Sequence, residues 1–102
     1  MIARVWSART TSALSAAYLE HLSQRVLPEL RSLQGFEGCT VLTRSAQDVV
    51  EIIVISRWHS LEAIETFAGK DREAAVVAPE AAALLTDYDR RVRHFETAFT
   101  EP

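Results

Sequence analysis

The first hydrophobic segment of the chain, Ile2–Arg9, is short and rich in aromatic and β-branched residues, which is typical of a β-strand. Side chains alternate between the two faces of a strand, so Arg4 and Trp6 share a face with Ile2 and Ala8. The segment ends at a pair of threonines, where the period of the pattern changes. The sequence therefore predicts a first strand that carries a charge among apolar neighbours.

From Ser12 the apolar residues recur every three or four positions, which predicts an amphipathic helix. This stripe consists of Leu14, Tyr18, Leu22, Val26, Leu30 and Leu33. Thr11 or Ser12 can cap the start of the helix, and Gly35 is well placed to end it. Pro28 lies inside the stripe and removes one backbone donor, so we expect it to kink the helix or to split off its last turn.

The middle of the chain predicts two strands and a second helix. Phe36–Arg44 reads as strand two, and the turn "SAQD" separates it from strand three, Val49–Trp58. Strand three is almost continuously apolar, which indicates a central strand covered on both faces. Ser60 then caps a helix over Leu61–Ala68, which Gly69 ends.

Pro79 suits the first position of a short third helix that carries Leu84, Leu85 and Tyr88. Arg91–Phe99 alternates well enough to be strand four. The order β-α-β-β-α-(α)-β predicts an α+β fold of the ferredoxin-like βαββαβ type, with an antiparallel four-stranded sheet. In that arrangement strands one and three are central and the helices cover one face.

Helices on one side leave the second apolar face of strand three without a cover. A large exposed apolar patch normally marks a partner surface, and the simplest partner is a second copy related by a two-fold axis. The pattern therefore predicts a homodimer formed through the sheet face.

Composition narrows the class of protein. The length of 102 residues predicts a single domain over residues 1–102. A net charge of −3, with scattered arginines, argues against nucleic-acid binding. Cys39 is the only cysteine, which fits a reducing compartment. Because the N-terminus lacks the apolar core of a signal peptide and no stretch reaches membrane-spanning length, we expect a soluble, cytoplasmic protein without a membrane partner.

Common catalytic and metal-binding motifs are missing from the sequence. It has three glycines and no glycine-rich phosphate loop, and it has no G-x-S-x-G motif. His21, His59 and His94 lie on three different predicted elements, with no spacing that suggests a metal site. Any catalysis would need a pocket assembled from several elements, without a metal.

Four segments resemble the antibiotic biosynthesis monooxygenase family. They are "GFEG", "EIIVISRW", "SLEAIETFAG" and "AVVAPEAAALLTDYDRRVRHFE". The resemblance covers nearly the whole chain and is specific for the fold but weak for the reaction. It implies the dimeric α/β-barrel superfamily, in which two sheets of a homodimer close into a barrel. It also implies a ligand pocket between the sheet and the helices of each subunit.

The haem-degrading branch of this family can be compared residue by residue. It carries an Asn on strand one, a Trp near the end of the helix after strand three and a His about ten residues later. These positions fall on Arg4, Phe67 and Val77, and none of the three matches. Valine cannot ligate iron, so the resemblance implies a protein without haem, and no cofactor is expected.

The remaining branch implies a cofactor-independent monooxygenase that acts on a small aromatic or polyketide-derived quinol. Such chemistry needs an enclosed pocket, a general base and a donor for a developing oxyanion. We hypothesise that Arg4 stabilises an anion, that Trp6 and Tyr18 grip an aromatic ring, and that His94 or Tyr18 relays a proton. Further candidates for substrate contact are Leu22, Trp58 and Phe67.

Structural explanations compete with each of these roles. Large aromatic rings such as Trp6 and Trp58 are more often core residues, and Trp58 can plug the base of the layer between sheet and helices. Arg4 can form a buried salt bridge with Glu96 or Glu51. His59 is expected to face water. The rival functions are a non-catalytic binding or stress-response module and a cyclase or isomerase that uses the same pocket.

Overall fold

The computed structural model describes all residues, 1–102, as an antiparallel sheet with helices on one face. The strands are β1 (Ile2–Thr11), β2 (Phe36–Ala46), β3 (Val49–Trp58), β4 (Asp87–Tyr88) and β5 (Arg93–Glu96). The helices are α1 (Ser12–His21), a π-helical turn (Leu22–Val26), α2 (Leu27–Arg31), α3 (Leu61–Ala68) and α4 (Pro79–Ala82). The predicted α+β ferredoxin-like class is confirmed. None of these helices is long and apolar enough to cross a membrane.

The sheet order is β2-β3-β1-β4, and β5 also pairs with β1. β1 and β3 are therefore central, as the continuous apolarity of β3 predicts. The predicted fourth strand over residues 91–99 is wrong in its extent, because the chain pairs with β1 in two separate pieces. Between them it turns towards the loop before α4, where Val92 donates a backbone hydrogen bond to the carbonyl of Glu73 at 2.8 Å.

Pro28 is accommodated by a π-helical turn. The amide of Leu27 donates to the carbonyl of Leu22, five residues earlier, and the chain returns to α-helix after it. A proline ring clashes with the carbonyl four residues before it, here that of Gln24, which lies inside this wider turn. The helix therefore widens before Pro28 instead of losing its last turn.

The predicted caps at the starts of α1 and α3 are confirmed. The Thr11 side chain accepts a hydrogen bond from the amide of Leu14, and the Ser60 side chain accepts one from Ala63. The third predicted helix is confirmed at Pro79 but lasts a single turn. Leu84 and Leu85 follow it and Tyr88 lies in β4, which corrects their expected place on that helix.

Two groups of buried apolar side chains fill the layer between the sheet and the helices. One comprises Tyr18, Leu22, Val50, Ile52 and Ala81. The other comprises Leu30, Trp58 and Ile64. The opposite face of the sheet bears Leu42 and Phe95, each close to half exposed. The helices therefore bury one sheet face only.

Candidate functional site

A cavity of about 190 Å³ lies between the inner face of the sheet and the helices. It is lined mostly by apolar side chains from β1, β3, the first helix, α3 and the segment around α4. Five of the residues predicted for the site line it: Arg4, Trp6, Tyr18, Leu22 and Phe67. The alternation along β1 and the helix stripe thus bring these predicted residues together.

Arg4 lies buried beside this cavity, with 4% of its surface exposed. Its Nη2 donates to the carbonyl of Ala74 at 2.7 Å, and its Nη1 donates to the carbonyl of Arg72 and to His94 Nε2. Burial lowers the pKa of the guanidinium to about 10, so it remains a cation at neutral pH. Arg4 is therefore a buried cation whose protein partners are all neutral acceptors.

The salt bridge suggested for Arg4 is absent, which corrects that interpretation. Glu51 lies opposite Arg9 in the register of β1 and β3, and it therefore projects from the other face of the sheet. Glu96 is paired with Ile2, and it forms no ion pair with Arg4. Arg4 therefore forms no ion pair with a carboxylate.

His94 lies next to Arg4 on the sheet and does not line the cavity. It is the cross-strand neighbour of Arg4 on β5, and its Nε2 lies 3.0 Å from Arg4 Nη1. Arginine has no acceptor, so the Nε2 atom must accept and the imidazole must be neutral. The proton relay by His94 stays a prediction, and the structure places its Nε2 atom against Arg4 and the residue outside the cavity lining.

This pairing predicts that acidification weakens the fold through His94. Burial, and next the charge of Arg4, lower the pKa of His94 below its usual 6.5, with Arg72 adding to the shift and Glu73 opposing it. The unfolded chain therefore binds the proton first as pH falls through 6.5, and stability is lost from there down to the folded pKa.

We expect the melting temperature to fall between about pH 7 and pH 5, and His94→Gln, which keeps an acceptor, to flatten part of this fall. The matched control is His59→Gln, at a side chain that is 79% exposed and that faces water as predicted. Thermal melts at several pH values measure both. Equal pH dependence of the His94 variant and the wild type would contradict the role of this histidine.

Trp6 and Tyr18 form one aromatic wall of the cavity, with their ring centroids 6.4 Å apart. The Trp6 indole N–H donates to the carbonyl of Asp89 at 2.8 Å, which fixes the ring. Burial raises the pKa of Tyr18 above its ordinary value, so its phenol stays protonated. Tyr18 can thus donate a hydrogen bond, and it is poorly suited to act as a base.

Trp58 is fully buried and does not line the cavity, so the structure does not bring it together with the other predicted substrate contacts. It stacks on Phe67 with centroids 6.0 Å apart, and Phe67 faces the cavity in its place. Arg4 Cζ lies 5.7 Å from the centre of the Phe67 ring, within reach of a cation–π contact. Trp58 therefore acts as the plug of the layer and supports Phe67.

The long connection from α3 to β5 covers the cavity, and side chains on the inner face of β1 hold it. Thr10 donates to the carbonyl of Leu84 at 2.6 Å, in addition to the bonds from Arg4 and Trp6 described above. Four backbone carbonyls of this connection thus accept from three residues on the same face of one strand. The cover is therefore fixed to β1 by polar contacts as well as by packing.

Several polar residues at the cavity were not predicted as site residues. Ser56 lines it from β3, and four charged or titratable residues line it from the helices: His21, Arg25, Glu29 and Glu80. Three of these recur every four positions, beside the apolar stripe, so the helical period could have identified them. No cluster of His, Cys, Asp or Glu suited to a metal ion is present.

Solved structures with the same fold include proteins of known and provisional function. A Bacillus cereus protein provisionally assigned as an antibiotic biosynthesis monooxygenase is 16% identical, with 99% of this chain and 94% of that chain covered and a TM-score of 0.67. The haem degrader MhuD of Mycobacterium tuberculosis, with two haems in its active site, is 20% identical over the whole of both chains, with a TM-score of 0.63.

The Streptomyces coelicolor monooxygenase from the gene ActVA-Orf6, in complex with nanaomycin D, is 16% identical, with 99% of this chain and 91% of that chain covered and a TM-score of 0.57. No protein-family model matches the chain, and a search of curated proteins finds no match either. The three similarities establish the fold of antibiotic biosynthesis monooxygenase-like proteins for this chain.

Proposed function

We propose that this chain, which has the fold of the antibiotic biosynthesis monooxygenase-like proteins, is a monooxygenase for a small aromatic quinol. The observation that carries the proposal is Arg4, a buried cation that forms no ion pair with a carboxylate, at the wall of a mostly apolar cavity. A bound phenolate would supply the missing negative charge, and the rings of Trp6 and Phe67 suit an aromatic body.

The size of the cavity favours a ligand of one or two rings. Its volume of about 190 Å³ lies below the roughly 300–1,000 Å³ of pockets for drug-sized ligands. The Streptomyces relative in complex with nanaomycin D supports the binding of a small molecule by this fold. We therefore favour a compact quinol over an extended polyketide.

The reaction we propose uses electrons from the substrate alone. A quinol that loses a proton becomes an electron-rich anion, which reacts with oxygen to give a hydroxyquinone and water. One oxygen atom enters the ring, the other leaves as water, and the substrate supplies all four electrons. The pocket would hold the anion near Arg4, and Tyr18 would donate to a developing oxyanion. His21, whose ring centroid lies 6.2 Å from that of Tyr18, is our candidate for the base.

Haem fits this cavity poorly. The three positions that correspond to the haem-degrading residues, Arg4, Phe67 and Val77, all line it, which supports the correspondence. Val77 offers no atom that can ligate iron, and Arg4 is already engaged by two backbone carbonyls. We therefore assign no step to haem.

The test is oxygen uptake with small hydroquinones of one and two rings, corrected for uncatalysed oxidation. We expect uptake by the wild type and a loss of about 10²-fold or more in His21→Gln, as for removal of a general base. The matched control is His59→Gln, far from the cavity and exposed to water. No uptake with any hydroquinone would contradict the proposed reaction. Equal uptake by both variants would contradict the role of His21 as the base.

A binding module is the second candidate, and one observation favours it. The donors of Arg4 already hold the cover of the cavity, so the residue has a structural role without any ligand. A chain that binds hydroquinones or quinones without oxygen uptake would have this function. Proton transfer without oxygen, as in a cyclase or isomerase, would appear instead as exchange of substrate hydrogen with solvent.

We also propose that residues 1–102 form one domain that pairs with a second copy through the outer sheet face. Leu42, Val49 and Phe95 are exposed on or beside this face, and the central positions Ile53 and Ile55 project from it. An apolar sheet face of this kind suits a two-fold, self-complementary contact.

Light scattering at micromolar concentration is expected to give the mass of a dimer, and Ile55→Glu is expected to give a monomer, because it would bury two unpaired charges at the contact. The control is Glu62→Lys on the exposed side of α3, which should stay dimeric. A monomeric mass for the wild type would contradict the proposed dimer.

A further inference from the structure

A row of polar residues crosses the inner face of the sheet beneath the cavity. In register from strand to strand it consists of Cys39, Ser56, Arg4 and His94. Of these, Ser56 and Arg4 line the cavity. The row interrupts the apolar floor at the point where the buried cation lies, so it gives the sheet side of the cavity a polar patch.

Ser56 has an unusual set of hydrogen bonds for a buried hydroxyl. Its Oγ accepts from the indole N–H of Trp58 at 2.9 Å, and 6% of its surface is exposed. A hydroxyl carries one donor and two acceptor positions, and the Ser56 proton has no acceptor in the protein. Because Ser56 lines the cavity, a ligand bound there can provide an acceptor for this proton.

The neighbours of Ser56 also set the charge that this acceptor should carry. Indole can only donate, so Trp58 occupies one acceptor position of the Ser56 hydroxyl and turns its proton away from the indole. Accepting one bond also strengthens the next bond that a hydroxyl donates. Arg4 is the cross-strand neighbour of Ser56 and brings a positive charge without a carboxylate. An oxygen at this patch of the cavity would meet a donor and a cation at once.

We infer that the Ser56 hydroxyl, oriented by Trp58 and placed beside Arg4, donates to the oxygen of an aromatic ligand and makes the cavity select phenolates over neutral phenols. This deepens the proposed function, on which it rests for the aromatic nature of the ligand. It adds a binding residue and a charge preference that apply whether or not oxygen reacts in the cavity. Ser56 holds the ionised form of the ligand, which is the form that transfers electrons readily.

The probe is 4-nitrophenol, which does not consume oxygen and whose phenolate is coloured. Bound to the wild type, it is expected to ionise at a pH about one unit lower than in water, which corresponds to about tenfold preference for the phenolate. Ser56→Ala is expected to weaken phenolate binding about tenfold and to leave binding of the neutral phenol nearly unchanged. Absorbance titrations over a range of pH measure both constants.

Two further variants keep the result interpretable. Ser56→Thr restores a hydroxyl and should recover phenolate preference, even where Ser56→Ala lowers stability by leaving the Trp58 N–H without an acceptor. Ser45→Ala, at an exposed position at the end of β2, should bind like the wild type.

Equal binding of phenol and phenolate by the wild type would overturn the inference. So would unchanged phenolate binding in Ser56→Ala, or no saturable binding of the probe by the wild type. Phenolate preference without oxygen uptake from any hydroquinone would support the inference while contradicting the proposed monooxygenase activity, so the two can fail separately.

Discussion

Replacing Arg4 with methionine is expected to lower the free energy of unfolding by about 3 kcal/mol and to loosen the cover of the cavity. The substitution removes donors from the carbonyls of Arg72 and Ala74 and from His94 Nε2. Each buried acceptor left without a partner costs about 1–3 kcal/mol. Removal of a buried cation without a carboxylate offsets part of that loss, which is why the expected net effect is smaller than the sum.

Urea denaturation measures the loss, and hydrogen exchange of the amides over residues 72–92 reports the cover directly. The matched control is Arg9→Met on the same strand, where the arginine pairs with Asp87 on the exposed side and should contribute little. Arg4→Lys keeps the charge but presents one ammonium in place of a planar fork, so it should recover only part of the stability. A methionine variant as stable as the wild type would show that these hydrogen bonds merely balance the burial of the charge.

The sequence predicted those parts of the fold whose signals are local. The bounds of β3 follow from a continuous apolar run, and those of α3 from a serine cap with a glycine stop, and each of these signals spans about ten residues. The alternation on β1 likewise placed Arg4 and Trp6 on the face that lines the cavity.

The sequence pattern could not predict contacts between segments that are distant along the chain. Two partners of Arg4 are backbone carbonyls about seventy positions away, in the loop between α3 and α4, and no side-chain pattern marks a carbonyl. The division of the last strand has the same origin, because the chain near Val92 pairs with the loop at Glu73. The wide turn before Pro28 was also not predicted, since a proline can be accommodated by a kink, a break or a π-helical turn.

Replacing Trp58 with alanine is expected to be the most destabilising of the changes considered, at about 3–5 kcal/mol. The indole is fully buried and packs edge-on against Phe36, with centroids 5.4 Å apart, and stacks on Phe67. Its loss would leave a cavity at the base of the layer and remove the support of a residue that lines the ligand cavity. A domain with a typical stability of about 5–15 kcal/mol would lose a large share of it.

Trp58→Phe separates packing from hydrogen bonding at this position. It keeps most of the aromatic packing but loses the N–H that donates to Ser56, so we expect a smaller loss of stability, about 1–2 kcal/mol. The Ser56 hydroxyl would then no longer be oriented by an accepted hydrogen bond. The control is Phe99→Ala, an aromatic side chain that is 87% exposed and should contribute little. Urea denaturation ranks the three variants.

The two Trp58 variants together show whether the tryptophan contributes only to stability or also to ligand binding. If Trp58→Phe binds the 4-nitrophenolate probe as tightly as the wild type while Trp58→Ala unfolds readily, then packing is its whole contribution. If Trp58→Phe stays folded but loses phenolate preference, then the indole N–H reaches the ligand through Ser56. We expect the second result, because the indole N–H occupies one acceptor position of the Ser56 hydroxyl and keeps its proton turned away from Trp58.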